Sequence, residues 1–137
     1  MTIEANKALV RRYIDEVWHG GAAAEPFFAP GYRRHVNPGA PPLDGVAQAA
    51  RIRAFREAFP DIRFAIVALV AEGDRVVFHC RVTGTHRGPL AGNAPTDRAI
   101  DVGLIDIVRI EGGLFVEHWG GADMLAIYRQ LGLPLVR

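Results

Sequence analysis

The spacing of apolar residues changes its period once along this chain, near Pro60, and that change limits the folds it can adopt. Before Pro60, apolar residues recur every three or four positions, as in amphipathic helices. After it they alternate with other residues, as in half-buried strands. Helices therefore precede strands instead of alternating with them. This order predicts an α+β domain, with helices covering one face of a curved, mainly antiparallel sheet that encloses a pocket.

Helix boundaries can be read from capping residues and breakers. A first helix is predicted from residue 3 to about 19, where two glycines follow. A second begins near Asp44, a suitable N-cap, and stops at Pro60. A short strand over 32–37 separates these two helices, and a helical segment over about 122–131 closes the chain.

Four alternating segments come after the second helix and predict an antiparallel meander. Their approximate bounds are residues 62–70, 76–82, 97–110 and 114–119. No internal repeat or linker interrupts the pattern, so we expect one domain over residues 1–137.

Composition excludes several classes of protein. Half of the 137 residues are apolar and the formal net charge is only +1, which argues against a disordered chain and against a nucleic-acid binder. The single cysteine, Cys80, excludes an internal disulfide. The N-terminal segment lacks a signal-peptide pattern and no apolar run reaches membrane-spanning length, so we expect a cytoplasmic protein without membrane contact.

Familiar catalytic motifs are missing from the sequence. It contains no phosphate loop, dinucleotide fingerprint, paired-histidine zinc motif or nucleophile elbow. The five histidines do not have metal-ligand spacing, so we expect neither a metal nor a cofactor. Any chemistry must therefore come from titratable side chains at apolar positions.

The last hairpin places two carboxylates on an apolar face. If Gly112-Gly113 forms a two-residue turn, Asp106 faces Trp119 and shares one side of the sheet with Glu117 and Trp119. His118 then belongs to the opposite side. Carboxylates in an apolar cavity have raised pKa values and can serve as general acids or bases near neutral pH. Alternatively, these carboxylates pair with arginines or lie at the solvent edge.

Other candidates lie on flanking elements. Asp123 comes after the last strand, where it is either a helix cap or a pocket acid. His35 lies in the short early strand and has either a pocket role or a structural one. Tyr13 on the first helix, with Phe55 and Phe59 on the second, is expected to contact an apolar ligand.

Several segments together resemble a known family. They are NKALVRRYIDEVW, YRRHVNP, FREAFPDIRF, AEGDRVVF, VTGTHRGPLAGNAPT and IDIVRIEGGLFVEHWGGADMLAIYRQLG. In this order, over nearly the whole chain, they resemble a SnoaL-like polyketide cyclase domain of the nuclear-transport-factor-2-like superfamily.

The resemblance implies a cone-shaped α+β barrel and a cofactor-free, aldol-type ring closure. One aspartate in a W-xxx-D segment acts there as general acid and base, and here that pattern gives Asp123. His35 matches the YxxH segment, and Glu117 and Trp119 match the family's ExW. The expected catalytic residues are thus Asp123, His35 and Asp106. The expected substrate contacts are Trp119, Glu117, His118, Phe55, Phe59 and Tyr13.

Alternatives remain on the same fold, because one fold hosts many functions. They are an isomerase, a dehydratase, a hydrolase, or a non-catalytic module that binds a small ligand. The expected partner in each case is a small hydrophobic carbonyl compound. Alternating Val, Ile and Arg on the exposed sheet face also predict a homodimer.

Overall fold

A computed structural model describes residues 2–135 of the chain. Within that range the helices are α1 (Ile3–Tyr13), which continues as a π-helical segment (Ile14–His19), α2 (Gly45–Ala58) and α3 (Met124–Leu131). The strands are β1 (Phe28–His35), β2 (Arg63–Glu72), β3 (Arg75–Thr85), β4 (Ala99–Glu111) and β5 (Leu114–Ala122). No helix in this range is both long and apolar enough to cross a membrane.

Capping residues occupy the ends of the helices. Thr2 and Asp44 accept hydrogen bonds from the backbone N–H groups of Ala5 and Ala47, which otherwise lack partners at a helix start. Gly132 ends α3 with a φ of 71°, a conformation that favours glycine. The predicted first helix is present as α1 and its π-helical continuation.

The five strands form one sheet in the order β1-β5-β4-β3-β2. Strands β2 to β5 are antiparallel neighbours, while β1 runs parallel to β5 at the edge. Apolar residues of β3 and β4, such as Val76, Phe78 and Val108, are fully buried. Val10, Tyr13 and other residues of the first helix are part of the same core. The predicted α+β architecture, with N-terminal helices packed on a mainly antiparallel sheet, is confirmed.

The pairing of β4 with β5 contains a bulge that the sequence analysis did not anticipate. Ile110 faces Phe115 as predicted, but the next pair is Arg109 with Glu117, so Val116 has no partner. Beyond the bulge His118 faces Val108. Because side chains alternate along a strand, this shift of one residue exchanges the two faces of β5. The predicted placement of Glu117 and Trp119 beside Asp106 is therefore wrong, and His118 takes that place.

The outer face of the sheet is partly apolar. One row across all five strands contains Val70, Val77, Ile107, Trp119 and His35. Val70 is 60% exposed. The homodimer stays a prediction, and this partly apolar face is where we expect the second copy to pack.

Candidate active site

A narrow cavity of about 40 Å³ lies between the helices and the inner face of the sheet. Its lining comes from α1 and its π-helical continuation, α2, all five strands, and the first residue of α3. The lining residues are Tyr13, Trp18, Arg34, Gln48, Arg51, Ile52, Phe55, Phe64, Val82, Leu104, Asp106, His118, Gly121, Ala122 and Met124.

A hydrogen-bonded pair of side chains occupies the cavity's inner wall. Nε2 of His118 lies 2.9 Å from Oδ2 of Asp106, and the Tyr32 hydroxyl lies 3.0 Å from Nδ1 of the same histidine. Asp106 is 5% exposed and His118 is 1% exposed. The bulge in β5 is responsible for this contact, because it turns His118 inward.

Burial fixes the protonation of this chain of groups. It lowers the pKa of His118 against the opposing effect of the Asp106 carboxylate, so the ring is neutral near pH 7. Burial raises the pKa of Tyr32, which keeps its hydroxyl protonated. A carboxylate only accepts hydrogen bonds, so Nε2 of His118 donates to Asp106 and Nδ1 accepts from Tyr32.

A buried arginine completes the polar group. Arg34 donates from one terminal nitrogen to the carbonyl of Gly120 at 2.6 Å, and its other terminal nitrogen lies 3.8 Å from Oδ2 of Asp106. Three buried polar atoms of the lining have no partner within residues 2–135: Nε of Arg34, Oδ1 of Asp106 and Oε1 of Gln48. Buried polar atoms are normally paired with protein groups or with ordered water, so these three atoms are available to hydrogen-bond to water or to a bound ligand.

Aromatic rings form the apolar wall. The Trp18 ring stacks on Phe64 with centroids 4.6 Å apart and meets Phe55 edge to face at 6.3 Å. The Tyr13 side chain lines the cavity from α1. Tyr13 and Phe55 line the cavity and their contact with a substrate stays a prediction, whereas Phe59 does not line it. Its ring is fully buried and packs against Phe55 and His86.

Asp123 does not lie in the cavity. Its exposed side chain accepts a hydrogen bond at 3.0 Å from the backbone N–H of Ala126 and caps α3. The expected pocket position is wrong, because β5 extends through Ala122 and delivers the aspartate to the helix start. The alternative, a helix cap, is the position that the structure shows.

His35, Glu117 and Trp119 form a separate cluster on the outer face of the sheet. Nε2 of His35 lies 2.9 Å from Oε2 of Glu117, and Arg109 donates from Nε to Oε1 at 3.0 Å. The Trp119 ring stacks on His35 with centroids 5.3 Å apart. These three residues were expected at the pocket, and that expectation is wrong.

Sequence reasoning missed Arg34 and Gln48, which line the cavity, and Tyr32, which hydrogen-bonds to His118. A signal was present in β1, where strand alternation gives Tyr32 and Arg34 one face and Arg33 and His35 the other. The parallel pairing of β1 with β5 places Arg34 directly beside His118. That pairing is not readable from local sequence.

The arrangement offers groups that can transfer a proton. Across residues 2–135, no three His, Cys, Asp or Glu side chains lie close enough to hold a metal ion together. The cavity instead combines a carboxylate with one free oxygen, a neutral imidazole that positions it, and a guanidinium beside both. This combination can remove a proton and stabilise the negative charge that results.

Solved structures resemble the chain over nearly its whole length. TsrD from Streptomyces laurentii is 30% identical, covers 98% of this chain and 99% of its own, and has a TM-score of 0.83. A proposed polyketide cyclase from Acidithiobacillus ferrooxidans is 29% identical, with coverage of 96% and 98% and a TM-score of 0.78. AclR from Streptomyces galilaeus, a proposed hydroxylase, is 24% identical over 97% and 100%, with a TM-score of 0.87. The AclR likeness shows the fold alone.

The family comparison agrees with these structures. No curated protein matches the sequence. The profile of the SnoaL-like polyketide cyclases matches residues 8–131, which include α2, all five strands, most of α1 and the whole of α3. The cavity, its buried aspartate and its aromatic wall all lie inside the matched range. This chain therefore belongs to the SnoaL-like polyketide cyclase family.

Proposed function

We propose that this protein closes a ring within a small hydrophobic carbonyl compound by an intramolecular aldol reaction, without a cofactor. The observation that carries the proposal is the buried Asp106–His118 pair, which leaves Oδ1 of Asp106 without a partner at an apolar, aromatic cavity. Membership of the polyketide cyclase family supports the same chemistry.

Asp106 acts as the general base and then as the general acid. Its Oδ1 takes a proton from a carbon next to a carbonyl group, and the C–H electron pair becomes an enolate. The enolate carbon attacks a second carbonyl of the same molecule and forms a C–C bond. The alkoxide so formed takes the proton back from Asp106, so the step is balanced without an oxidant or reductant.

The neighbouring groups hold the base and the developing charge. His118 donates to Oδ2 and fixes the carboxylate, while Tyr32 fixes the ring of His118. The Arg34 guanidinium lies beside the carboxylate and has an unpaired Nε donor, so its positive charge can stabilise an enolate oxygen. The aromatic wall holds the two carbonyl groups close to each other. Such proximity lowers the activation barrier by about 7 to 11 kcal/mol in well-oriented reactions.

The test uses 1-phenylhexane-1,5-dione, a diketone whose aldol closure gives 3-hydroxy-3-phenylcyclohexanone; loss of water from this alcohol then gives 3-phenylcyclohex-2-enone. Formation of the conjugated enone is followed by absorbance. Exchange of the α-protons in D₂O, followed by NMR, reports proton removal by itself. The wild type should accelerate both processes. Asp106→Asn should slow both by about a hundredfold or more, because it removes the base.

Glu117→Gln is the matched control, since it makes the same kind of change in the carboxylate–histidine pair on the outer face. It should keep the wild-type rate. The proposal is wrong if Asp106→Asn retains activity, or if the wild type accelerates neither ring closure nor exchange. Binding of the diketone without exchange would instead identify a non-catalytic binding module.

A further inference from the structure

The charges along the cavity do not balance. Its 15 lining residues include two arginines, Arg34 and Arg51, and a single carboxylate, Asp106. The remaining titratable groups are His118 and Tyr13; burial lowers the pKa of the first and raises that of the second, so both are neutral near pH 7. The described lining therefore carries one more positive charge than negative charge.

Arg51 is the cation in excess. Arg34 and Asp106 lie 3.8 Å apart at the inner end of the cavity and offset one another. Arg51 lies on α2 at the mouth and reaches solvent, and within residues 2–135 it makes no ion pair or side-chain hydrogen bond. Partial burial and then the Arg34 charge lower the pKa of Arg51. An anion at the mouth would relieve this repulsion.

The shape of the wall restricts what kind of anion fits. From Arg51, α2 continues one turn to Phe55, which meets Trp18 and, through it, Phe64. A wall built of such contacting rings favours a flat, conjugated molecule lying against it. A small inorganic anion would leave this wall without contact, whereas an aromatic acid would use both the rings and the guanidinium.

We propose that the ligand of this cavity is an aromatic or conjugated carboxylate, held with its acid group beside Arg51 and its ring along Trp18, Phe55 and Phe64. This specifies the charge of the expected small hydrophobic carbonyl compound, which is then an organic monoanion. It rests on the proposed function in one respect: the bound acid presents its carbonyl group to Asp106. Arg51 is then a residue that determines specificity.

The test compares 2-naphthoate with 2-naphthamide, which have the same shape but differ in charge. Isothermal titration calorimetry at pH 7.5 gives both dissociation constants. The wild type should bind the acid about tenfold more tightly, since a hydrogen bond to a charged group is stronger than one to a neutral group. Raising the salt concentration should weaken binding of naphthoate and leave binding of naphthamide unchanged.

Arg51→Gln should abolish the preference for the acid, and Arg53→Gln is its matched control. Arg53 lies two residues further along α2, where it pairs with Glu25 at 3.6 Å and does not line the cavity. Arg53→Gln should keep the wild-type preference. Equal affinity of the wild type for the two probes, no binding of naphthoate, or equal loss in both variants would overturn the proposal.

Asp106→Asn separates this proposal from the proposed function. Removing the only carboxylate of the lining should increase naphthoate affinity several-fold while abolishing ring closure. If Asp106 is not the base, ring closure survives in this variant and the preference for the acid remains. If the anion site is wrong, the preference is absent in the wild type although Asp106→Asn still loses ring closure.

Discussion

The sheet carries a carboxylate–histidine pair on each face, and the two pairs have the same length and different surroundings. Asp106 and His118 lie 2.9 Å apart on the inner face, almost without solvent contact. Glu117 and His35 lie 2.9 Å apart on the outer face, with about a quarter to a third of each side chain exposed. Geometry alone does not distinguish a candidate active site from a surface contact here.

Environment makes the difference. On the inner face, burial lowers the pKa of His118 in spite of its acidic partner, and Oδ1 of Asp106 has no partner among the described residues. On the outer face, the hydrogen bond from His35 lowers the pKa of Glu117, and Arg109 occupies its second oxygen. The inner carboxylate therefore has one oxygen left to interact with a substrate, whereas both oxygens of the outer carboxylate already accept hydrogen bonds.

Breaking each pair should affect stability very differently. Asp106→Asn should lower the free energy of unfolding by about 3 kcal/mol, because it leaves the Arg34 charge buried without its partner. Glu117→Gln should cost less than about 1 kcal/mol, as is usual for solvent-exposed pairs. Urea denaturation of both variants measures the contrast. Equal losses would show that burial does not distinguish the two faces.

The inner pair also depends on a glycine. Gly120 has a φ of 102°, and a Cβ atom there would lie 2.1 Å from the carbonyl oxygen of Ile105 and 2.9 Å from Cα of Asp106. Gly120→Ala should therefore cost about 2 kcal/mol or more in stability. The control is Gly103→Ala on β4, where a Cβ atom meets nothing within 4 Å. If Gly120→Ala melted at the same temperature as the wild type, the steric clash expected at this position would be refuted.

Asp123 can be compared with a second helix cap in the same chain. Asp123→Ala should cost about 1 kcal/mol, because it removes the acceptor for the N–H of Ala126, and it should leave ring closure unchanged. Asp44→Ala removes the equivalent cap of α2 and should have a similar effect on thermal denaturation. If only the Asp123 variant lost ring closure, the general base would be Asp123 at the start of α3 and not Asp106 in the cavity.

Acid should weaken the inner pair before the outer one. The pKa of His118 is lowered below its ordinary value of 6.5, so the unfolded chain takes up this proton at a higher pH than the folded protein does. Its contribution to stability is therefore complete above about pH 6.5 and is lost as pH falls below that value. The pKa of Glu117 is lowered below its ordinary value of 4.5, so the contribution of the outer pair to stability is lost only at pH values below about 4.5.

Urea unfolding between pH 8 and pH 5 measures this difference. The wild type should lose more stability across that range than His118→Gln, which has no imidazole to protonate at this position. The difference between the two curves isolates the effect of His118. Parallel curves would mean that His118 takes up its proton at the same pH in the folded and the unfolded protein.

Part of the candidate site could be predicted from the sequence. Asp106 interrupts an alternating apolar strand, so its burial is expected from the period alone. Tyr13 and Phe55 lie on the apolar stripes of their helices and face the same cavity. The errors at Glu117, Trp119 and Asp123 concern β5 and its junction with α3, because Val116 bulges out of the strand and because Gly120 and Gly121 prolong it.

The sequence by itself determined the order of helices and strands, their caps, and one carboxylate on the inner face, because these depend on contacts between residues close in the chain. Only the tertiary structure decided which histidine meets that carboxylate and which arginine lies beside it. The choice between His118 and Glu117 depends on hydrogen bonds between strands, where one extra residue reverses every later side chain. The position of Arg34 depends on the parallel pairing of β1 with β5, two segments about 85 residues apart in the chain.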